Sequence, residues 1–102
     1  MSHKVIFDIA AQADLTDVYD YLLPRAGERD ARTYVDDILN YCVGFETFPE
    51  RGIQSDRRPG LRIVGFRRRA TIAFEVAADT VIILRVFHRG RNVNFASDID
   101  DE

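Results

Sequence analysis

The sequence predicts a single α+β domain in which one sheet carries two helices on one of its faces. Two observations predict this class. Apolar residues alternate with polar ones near the N-terminus and again over residues 61–88, whereas residues 11–45 follow a helical period. Hydrophobic residues make up 46% of the 102-residue chain, which is enough to build one core. We therefore expect residues 1–102 to form one domain.

The N-terminal segment predicts a strand followed by a helix. The strand is expected over His3–Ile9, where apolar and polar residues alternate. The period changes at Ala11, and acidic residues, Asp14 among them, lie between the apolar positions. Pro24 and Gly27 predict where this helix ends. Its apolar stripe consists of Ala11, Leu15, Val18 and Leu22.

A second helix is predicted to begin near Glu28 or Arg29 and to close before Pro49 and Gly52. Two helices joined by a short break predict a helical hairpin that packs its apolar faces on a sheet. The polar segment 52–60 that follows predicts a loop. The stripe of the second helix is Ala31, Val35, Ile38, Leu39 and Cys42, continuing towards Phe45.

The C-terminal half predicts three consecutive strands, over Leu61–Phe66, 69–77 and 80–88. Ala78 and Asp79 form a tight turn between the last two strands, which predicts a hairpin. Together with the first strand, this antiparallel meander is expected to complete one sheet.

The third of these strands is apolar on both faces, with Ile82, Leu84 and Val86 on one and a second apolar set on the other. Because the helical hairpin can cover only one face, we expect the second set to form an open patch of the kind that marks partner sites. That set is Val81, Ile83 and Phe87, with Arg85 on the same face.

Charge is distributed unevenly along the chain, although the net charge is only -3. Residues 1–50 hold 4 basic and 10 acidic residues, residues 51–91 hold 10 basic and 3 acidic residues, and residues 92–102 hold 4 acids and no base. The central block predicts either a basic face that attracts an acidic protein or a phosphate backbone, or mutual neutralisation within the fold. The acidic tail 92–102 is expected to be flexible.

The composition excludes several classes of site. Cys42 is the single cysteine, so no internal disulfide can form, and with two histidines we expect neither a metal site nor a cofactor. Cys42 lies on an apolar stripe and is expected in the core. No signal peptide or membrane-spanning run is evident, and we expect a cytoplasmic protein.

Three segments in the right order resemble the RelE/ParE toxin superfamily, and its ParE-like branch in particular. Over residues 11–27, AQADLTDVYDYLLPRAG is similar to the first helix of ParE-type toxins. FETFPERG, at residues 45–52, resembles the end of the second helix in the family. Residues 58–92 are similar to the strand block of the family, including its Arg-Val-Phe-His ending and the Gly-Arg that follows.

The resemblance implies the toxin of a type II toxin–antitoxin pair. ParE-like members inhibit DNA gyrase, whereas RelE-like members cleave messenger RNA in the ribosomal A site. Both are neutralised by a cognate antitoxin, which for the ParE branch is ParD-like, with a ribbon-helix-helix DNA-binding domain and an acidic C-terminal segment. We therefore expect a hetero-oligomer with the antitoxin and no membrane partner.

A ribonuclease needs a base, an acid and a cation that stabilises the charge on phosphorus. Arg85 and His88 are the candidate catalytic residues, but a regular strand points them to opposite faces, and no further acid or base is evident. We therefore expect the basic residues to serve binding more than catalysis. The expected antitoxin contacts are Leu22, Arg69, Val81, Ile83, Arg85 and Phe87. The expected target contacts are Arg62, Arg67, Arg68, His88, Arg89 and Arg91.

Three functions therefore remain open. The first is a ParE-like gyrase inhibitor without catalysis, and the second is a ribosome-dependent endoribonuclease. The third is a toxin-like protein without toxicity that represses transcription together with its antitoxin.

Overall fold

The computed structural model describes residues 2–88, which form two helices and five strands. The predicted α+β class is confirmed. The predicted contacts Arg89 and Arg91 and the acidic tail 92–102 lie outside the described residues. In chain order the elements are β1 Lys4–Phe7, α1 Ile9–Ala26, α2 Glu28–Val43, a 3-10 turn Gly44–Glu46, β2 Ile53–Gln54, β3 Leu61–Phe66, β4 Ala70–Val76 and β5 Thr80–His88.

The strands form one sheet in the order β1-β5-β4-β3-β2. β1 lies parallel to β5, from Lys4 opposite Thr80 to Phe7 opposite Ile83, and all other pairs are antiparallel. The predicted meander of β3, β4 and β5 is therefore confirmed. The sheet has a fifth strand that was expected to be loop, because the two residues of β2 are both exposed and give no alternating pattern.

The boundary between β1 and α1 lies two residues earlier than expected. Asp8 caps the helix, since its carboxylate accepts a hydrogen bond of 3.2 Å from the Ala10 N–H, and Ile9 therefore begins α1 rather than ending the strand. Of the two residues predicted to end the helix, Gly27 is confirmed as its C-cap, whereas Pro24 is wrong because the helix continues through it to Ala26. Pro24 lies in the last turn, where its missing N–H removes only one bond of the helix.

The helices cover one face of the sheet and enclose the main core, which includes the stripe residues Ala11, Leu15, Ile38 and Cys42. On the sheet side this core contains Phe66, Ile72, Phe74, Val81, Ile83 and Val86. Cys42 is buried there as predicted, and burial raises the pKa of its thiol to about 12. The thiol is therefore protonated at neutral pH.

An irregularity in β5 overturns the predicted assignment of its faces. Ala73 pairs with Arg85 and Phe74 pairs with Ile83, so Leu84 is an extra residue without a partner on β4. The bulge changes the alternation, and Val81, Ile83 and Val86 all point to the helices. Val81 and Ile83 are fully buried, so the expectation that they lie on an open face is wrong.

A second, smaller apolar cluster occupies the opposite face of the sheet. Phe87 lies in this cluster, as its strand position requires, but it is only 6% exposed. The predicted open apolar patch is therefore wrong for this side chain as well. The cluster consists of Leu61, Ala73, Leu84 and Phe87, with Ile82 packed against it.

Arg62 on β3 holds the segment that leads into β2. Its guanidinium donates hydrogen bonds to the carbonyls of Glu50 and Arg51 at 2.9 Å each and to that of Gly52 at 3.3 Å. Gly52 itself has φ +74, and a Cβ built there would lie 2.2 Å from the Ile63 carbonyl oxygen. At Gly52 the loop therefore lies so close to β3 that a residue with a side chain would not fit there.

This approach predicts different costs for two glycines that both have positive φ. Gly52→Ala should destabilise the fold by more than about 3 kcal/mol, because the clash with the Ile63 carbonyl adds to the backbone strain. Gly27→Ala is the matched control: Gly27 has φ +89 but nothing within 4 Å of its Cβ position, so we expect only the strain, about 1–3 kcal/mol. Urea unfolding measures both, and equal losses would contradict the close approach.

Candidate functional site

The side chain of Asp14 joins α1 to the sheet. Its Oδ2 accepts hydrogen bonds of 2.8 Å from the Arg85 Nε and from the backbone N–H of Val86, and its Oδ1 accepts one of 3.0 Å from an Arg85 terminal nitrogen. Asp14 is 3% exposed and the Arg85 side chain 20% exposed. The fork-to-fork geometry is that of a strong ion pair shielded from water.

The position of this ion pair follows from the length of β1. The pairing of β1 with β5 stops at Ile83, whose carbonyl accepts a hydrogen bond from the Asp8 N–H. Within residues 2–88, no strand pairs with this edge of β5 beyond that point. Beyond that point the Asp14 carboxylate accepts the hydrogen bond from the Val86 N–H. The Arg85 guanidinium balances the negative charge of this buried carboxylate.

Asp14 was not among the expected site residues, although the sequence carries a signal for it. It lies three residues after Ala11 and four before Val18, and both are on the buried stripe of α1. A carboxylate at such a position needs a cation or several N–H donors. Arg85 had been placed on an open face as a docking charge, and the structure instead binds its guanidinium to Asp14.

His88 lies at the end of β5 between two tyrosines. Its ring centroid is 5.5 Å from that of Tyr21 on α1 and 5.5 Å from that of Tyr34 on α2. His88 faces the helices and Arg85 pairs with Ala73 of the opposite-face cluster, so the expectation that their strand positions face opposite sides is confirmed. With 4% exposure, the imidazole is part of the packing.

The turn between β3 and β4 consists of Arg67, Arg68 and Arg69, all exposed. The Arg69 N–H donates to the Phe66 carbonyl at 3.1 Å, and φ is +50 at Arg67 and +60 at Arg68. Positive φ at both central residues is the signature of a type I′ turn, which favours Asn-Gly. Each arginine in this conformation costs about 1–2 kcal/mol.

The turn lies beside the tyrosine and histidine rings. Burial raises the pKa of the Tyr34 phenol, and the nearby cations Arg69 and Arg67 oppose that effect. The hydroxyl of Tyr34 is buried and makes no hydrogen bond among residues 2–88. Arg67 also forms an ion pair of 2.9 Å with Asp37 of α2, with the two side chains 57% and 32% exposed. This end of the sheet therefore collects cations, a phenol and an imidazole.

A groove of about 860 Å³ opens on the other side of the molecule, between β1 and the helical hairpin. β1 is the edge strand of the sheet that residues 2–88 form, so the groove borders an edge with which no other described strand pairs. Its wall is largely apolar and its rim carries Lys4, Arg32 and Asp36. The apolar wall includes Val5, Phe7, Leu15, Tyr19, Val35 and Leu39.

The expected contact residues are thus distributed over the molecule rather than gathered on one face. Leu22 is half-buried in the later part of α1, and Arg69 is exposed in the β3–β4 turn. None of the expected antitoxin contacts lines the groove, and none of the expected target contacts within residues 2–88 lines it. Of the target set, Arg67 and Arg68 are exposed, His88 is packed and Arg62 is bonded to the loop.

Among residues 2–88, no group of three or more histidine, cysteine, aspartate or glutamate side chains is arranged to hold a metal ion. The helices in this part of the chain are too short or too polar to cross a membrane.

The fold is the one found in two toxin–antitoxin complexes. A chain from the chromosomal ParDE system of P. aeruginosa superposes with a TM-score of 0.75 at 23% identity, over 86% of this chain and 97% of that one. A chain from the RelBE2 complex of Mycobacterium tuberculosis gives a TM-score of 0.62 at 21% identity, over 87% of this chain and 100% of that one. A comparison with curated protein sequences finds no significant match.

The sequence decides the family. The profile of the family described as the ParE toxin of the type II toxin–antitoxin system parDE matches residues 5–93, which is most of the chain. This protein belongs to the ParE toxin family. It is therefore a toxin of a type II toxin–antitoxin system within the ParE/RelE superfamily.

The ion pair predicts a large effect of Asp14 on stability. Asp14→Ala should cost about 3–5 kcal/mol of unfolding free energy, because it removes the carboxylate that binds the Arg85 guanidinium and the Val86 N–H in a shielded position. Asp14→Asn should cost about 1–3 kcal/mol, since an amide oxygen can still accept from Val86. The exposed Asp20 on the same helix is the control, with an effect of Asp20→Ala within about 0.5 kcal/mol. Similar urea midpoints for the two alanine variants would refute this account.

Proposed function

We propose that this chain inhibits DNA gyrase by binding, as a ParE-like toxin of the cytoplasm, and that a cognate antitoxin neutralises it. The observation that supports binding over catalysis concerns the two residues that a ribonuclease would use. Arg85 is held by two hydrogen bonds to Asp14, and His88 is packed between Tyr21 and Tyr34. In these positions the guanidinium and the imidazole cannot both approach one phosphate.

The ribonuclease function is the second candidate, and one observation favours it. Tyr34 and His88 lie 5.5 Å apart by ring centroids, and the nearby cations Arg69 and Arg67 of the β3–β4 turn act on the pKa of the Tyr34 phenol. A phenol, an imidazole and arginines are the groups that RNA cleavage needs. The packing of both rings would have to open before either could transfer a proton.

Purified gyrase and a translating extract separate the two functions. At micromolar toxin we expect supercoiling of plasmid DNA by gyrase to fall and cleaved DNA to accumulate, while a type I topoisomerase acting on the same plasmid is unaffected. We expect messenger RNA in the extract to stay intact. Unchanged gyrase activity would overturn the proposal, and cuts in the messenger RNA would establish the second candidate in its place.

We further propose that the antitoxin occupies the groove between β1 and the helical hairpin. The related folds come from toxin–antitoxin complexes, so a protein partner is expected. A groove with an apolar wall beside a free strand edge fits an apolar peptide segment, which can bury side chains in it and pair with the backbone of β1. The charged residues at the rim would mainly set the association rate.

Introducing a bulky charge into the groove should block this interaction. Thr16 lines the groove and is exposed, so Thr16→Arg should keep the fold and weaken antitoxin binding at least about tenfold, through a buried unpaired charge in the complex. Thr33→Arg is the matched control on α2, exposed and outside the groove. Calorimetric titration with the antitoxin compares the two variants, and equal affinities would place the antitoxin elsewhere.

A further inference from the structure

The β3–β4 turn conflicts with the local rules of chain conformation. Arg67 and Arg68 both take the left-handed conformation, where asparagine and glycine are favoured. Their side chains are exposed, so no packing in the core compensates for the strain. Strained positions of this kind persist where a function needs the side chain.

Within residues 2–88, ion pairs balance only part of the charge of the turn. Arg67 is paired with Asp37 and lies over the Phe66 ring, with its guanidinium carbon 4.9 Å from the ring centroid. Arg68 and Arg69 form no ion pair within residues 2–88. Three adjacent arginines facing one carboxylate leave an excess of positive charge on a turn fixed at both ends by strands.

We propose that the turn Arg67–Arg69 binds the phosphate backbone of nucleic acid. Arginine donates to phosphate oxygens bidentately, and a rigid turn presents these donors with little loss of conformational freedom. This inference rests on the proposed function, inhibition of DNA gyrase, because gyrase acts on bound DNA that the toxin could also contact. It assigns the chain a contact to the DNA in addition to the contact with gyrase.

The surroundings of the turn favour a nucleic acid over an acidic protein. Protein interfaces are anchored by apolar or aromatic side chains at their centre. Here the neighbouring apolar residues Phe66 and Ala70 are 6% and 4% exposed and offer no such anchor. Phosphate contacts need only charge and hydrogen-bond donors. The apolar groove lies at β1, and β5 lies between β1 and the β3–β4 hairpin that carries this turn.

A turn replacement tests the proposal without loss of the fold. The double variant Arg67→Asn with Arg68→Gly installs the residues that the turn conformation favours and removes two cations. We expect its Tm to rise by a few degrees, about 2–8 °C, since the strain relieved exceeds the worth of the exposed pair with Asp37. Arg68→Gly alone keeps that ion pair and should raise the Tm as well. A lower Tm in both variants would refute the strain on which the inference depends.

Binding is measured by fluorescence anisotropy with a short labelled DNA duplex, without gyrase, between about 50 and 200 mM salt. For the double variant, we expect affinity at the lowest salt to fall about tenfold and the slope of log K against log salt to decrease by about 2. Arg29→Gln with Arg32→Gln removes two exposed arginines of α2 and is the matched control for net charge, with a smaller expected loss. Equal losses in the two double variants would overturn the assignment to this turn.

Two further ligands distinguish the source of the anion. We expect the DNA duplex to bind at least as tightly as an RNA duplex, because phosphate contacts alone do not distinguish the two, and we expect a polyglutamate peptide not to bind. Turn-dependent binding of polyglutamate would overturn the proposal in favour of an acidic protein, and a preference for RNA would overturn the assignment to DNA. Because gyrase is absent, turn-dependent DNA binding can stand if gyrase inhibition fails, and it can fail if gyrase inhibition stands.

Discussion

A single buried carboxylate holds the two layers of this protein together. Asp14 of α1 binds both the Arg85 guanidinium and the Val86 N–H, across 71 and 72 residues of sequence. Among residues 2–88 no strand pairs with this edge of β5 beyond β1, and the Asp14 carboxylate accepts the Val86 N–H there. The same contact fixes the height of α1 over the sheet and thereby the position of Tyr21 against His88. It also removes Arg85 from the charges that are free to meet a partner.

This arrangement separates the surfaces of the toxin by chemistry. On the β1 side, a short edge strand and the inner faces of the two helices leave an apolar groove. At the opposite part of the sheet, the β3–β4 turn concentrates arginines, and the apolar residues that flank it, Phe66 and Ala70, are buried. A peptide with apolar side chains and a phosphate backbone demand different surfaces, and within residues 2–88 the groove suits the first and the turn the second. Proteins that must be neutralised and also act on a target can then use independent contacts for the two tasks.

Local patterns predicted the elements but not the contacts between them. The bounds of β3 and β5 agree with those predicted, and the helical stripes lie in or against the core except for Leu22, which is half-buried. The bulge at Leu84 has no sequence signature, because its neighbours are apolar on both sides, and it reversed the assignment of Val81 and Ile83. Asp14 was readable in principle from its place on a buried stripe, but its partner could not be identified without the fold. The role of Arg62 depends on three carbonyls of a loop and follows from no periodicity.

The first and last strands of the described chain are neighbours in the sheet. β1 pairs with β5 in parallel, beginning with Lys4 opposite Thr80. β5 is an inner strand of the sheet, with β1 on one side and β4 on the other. During synthesis, β1 and α1 therefore cannot form their contacts with the sheet until β5 has been made. Pairings of such wide sequence separation slow folding. Until β5 is present, β1 has no neighbour in the sheet, and the core beneath the helices lacks Val81, Ile83 and Val86.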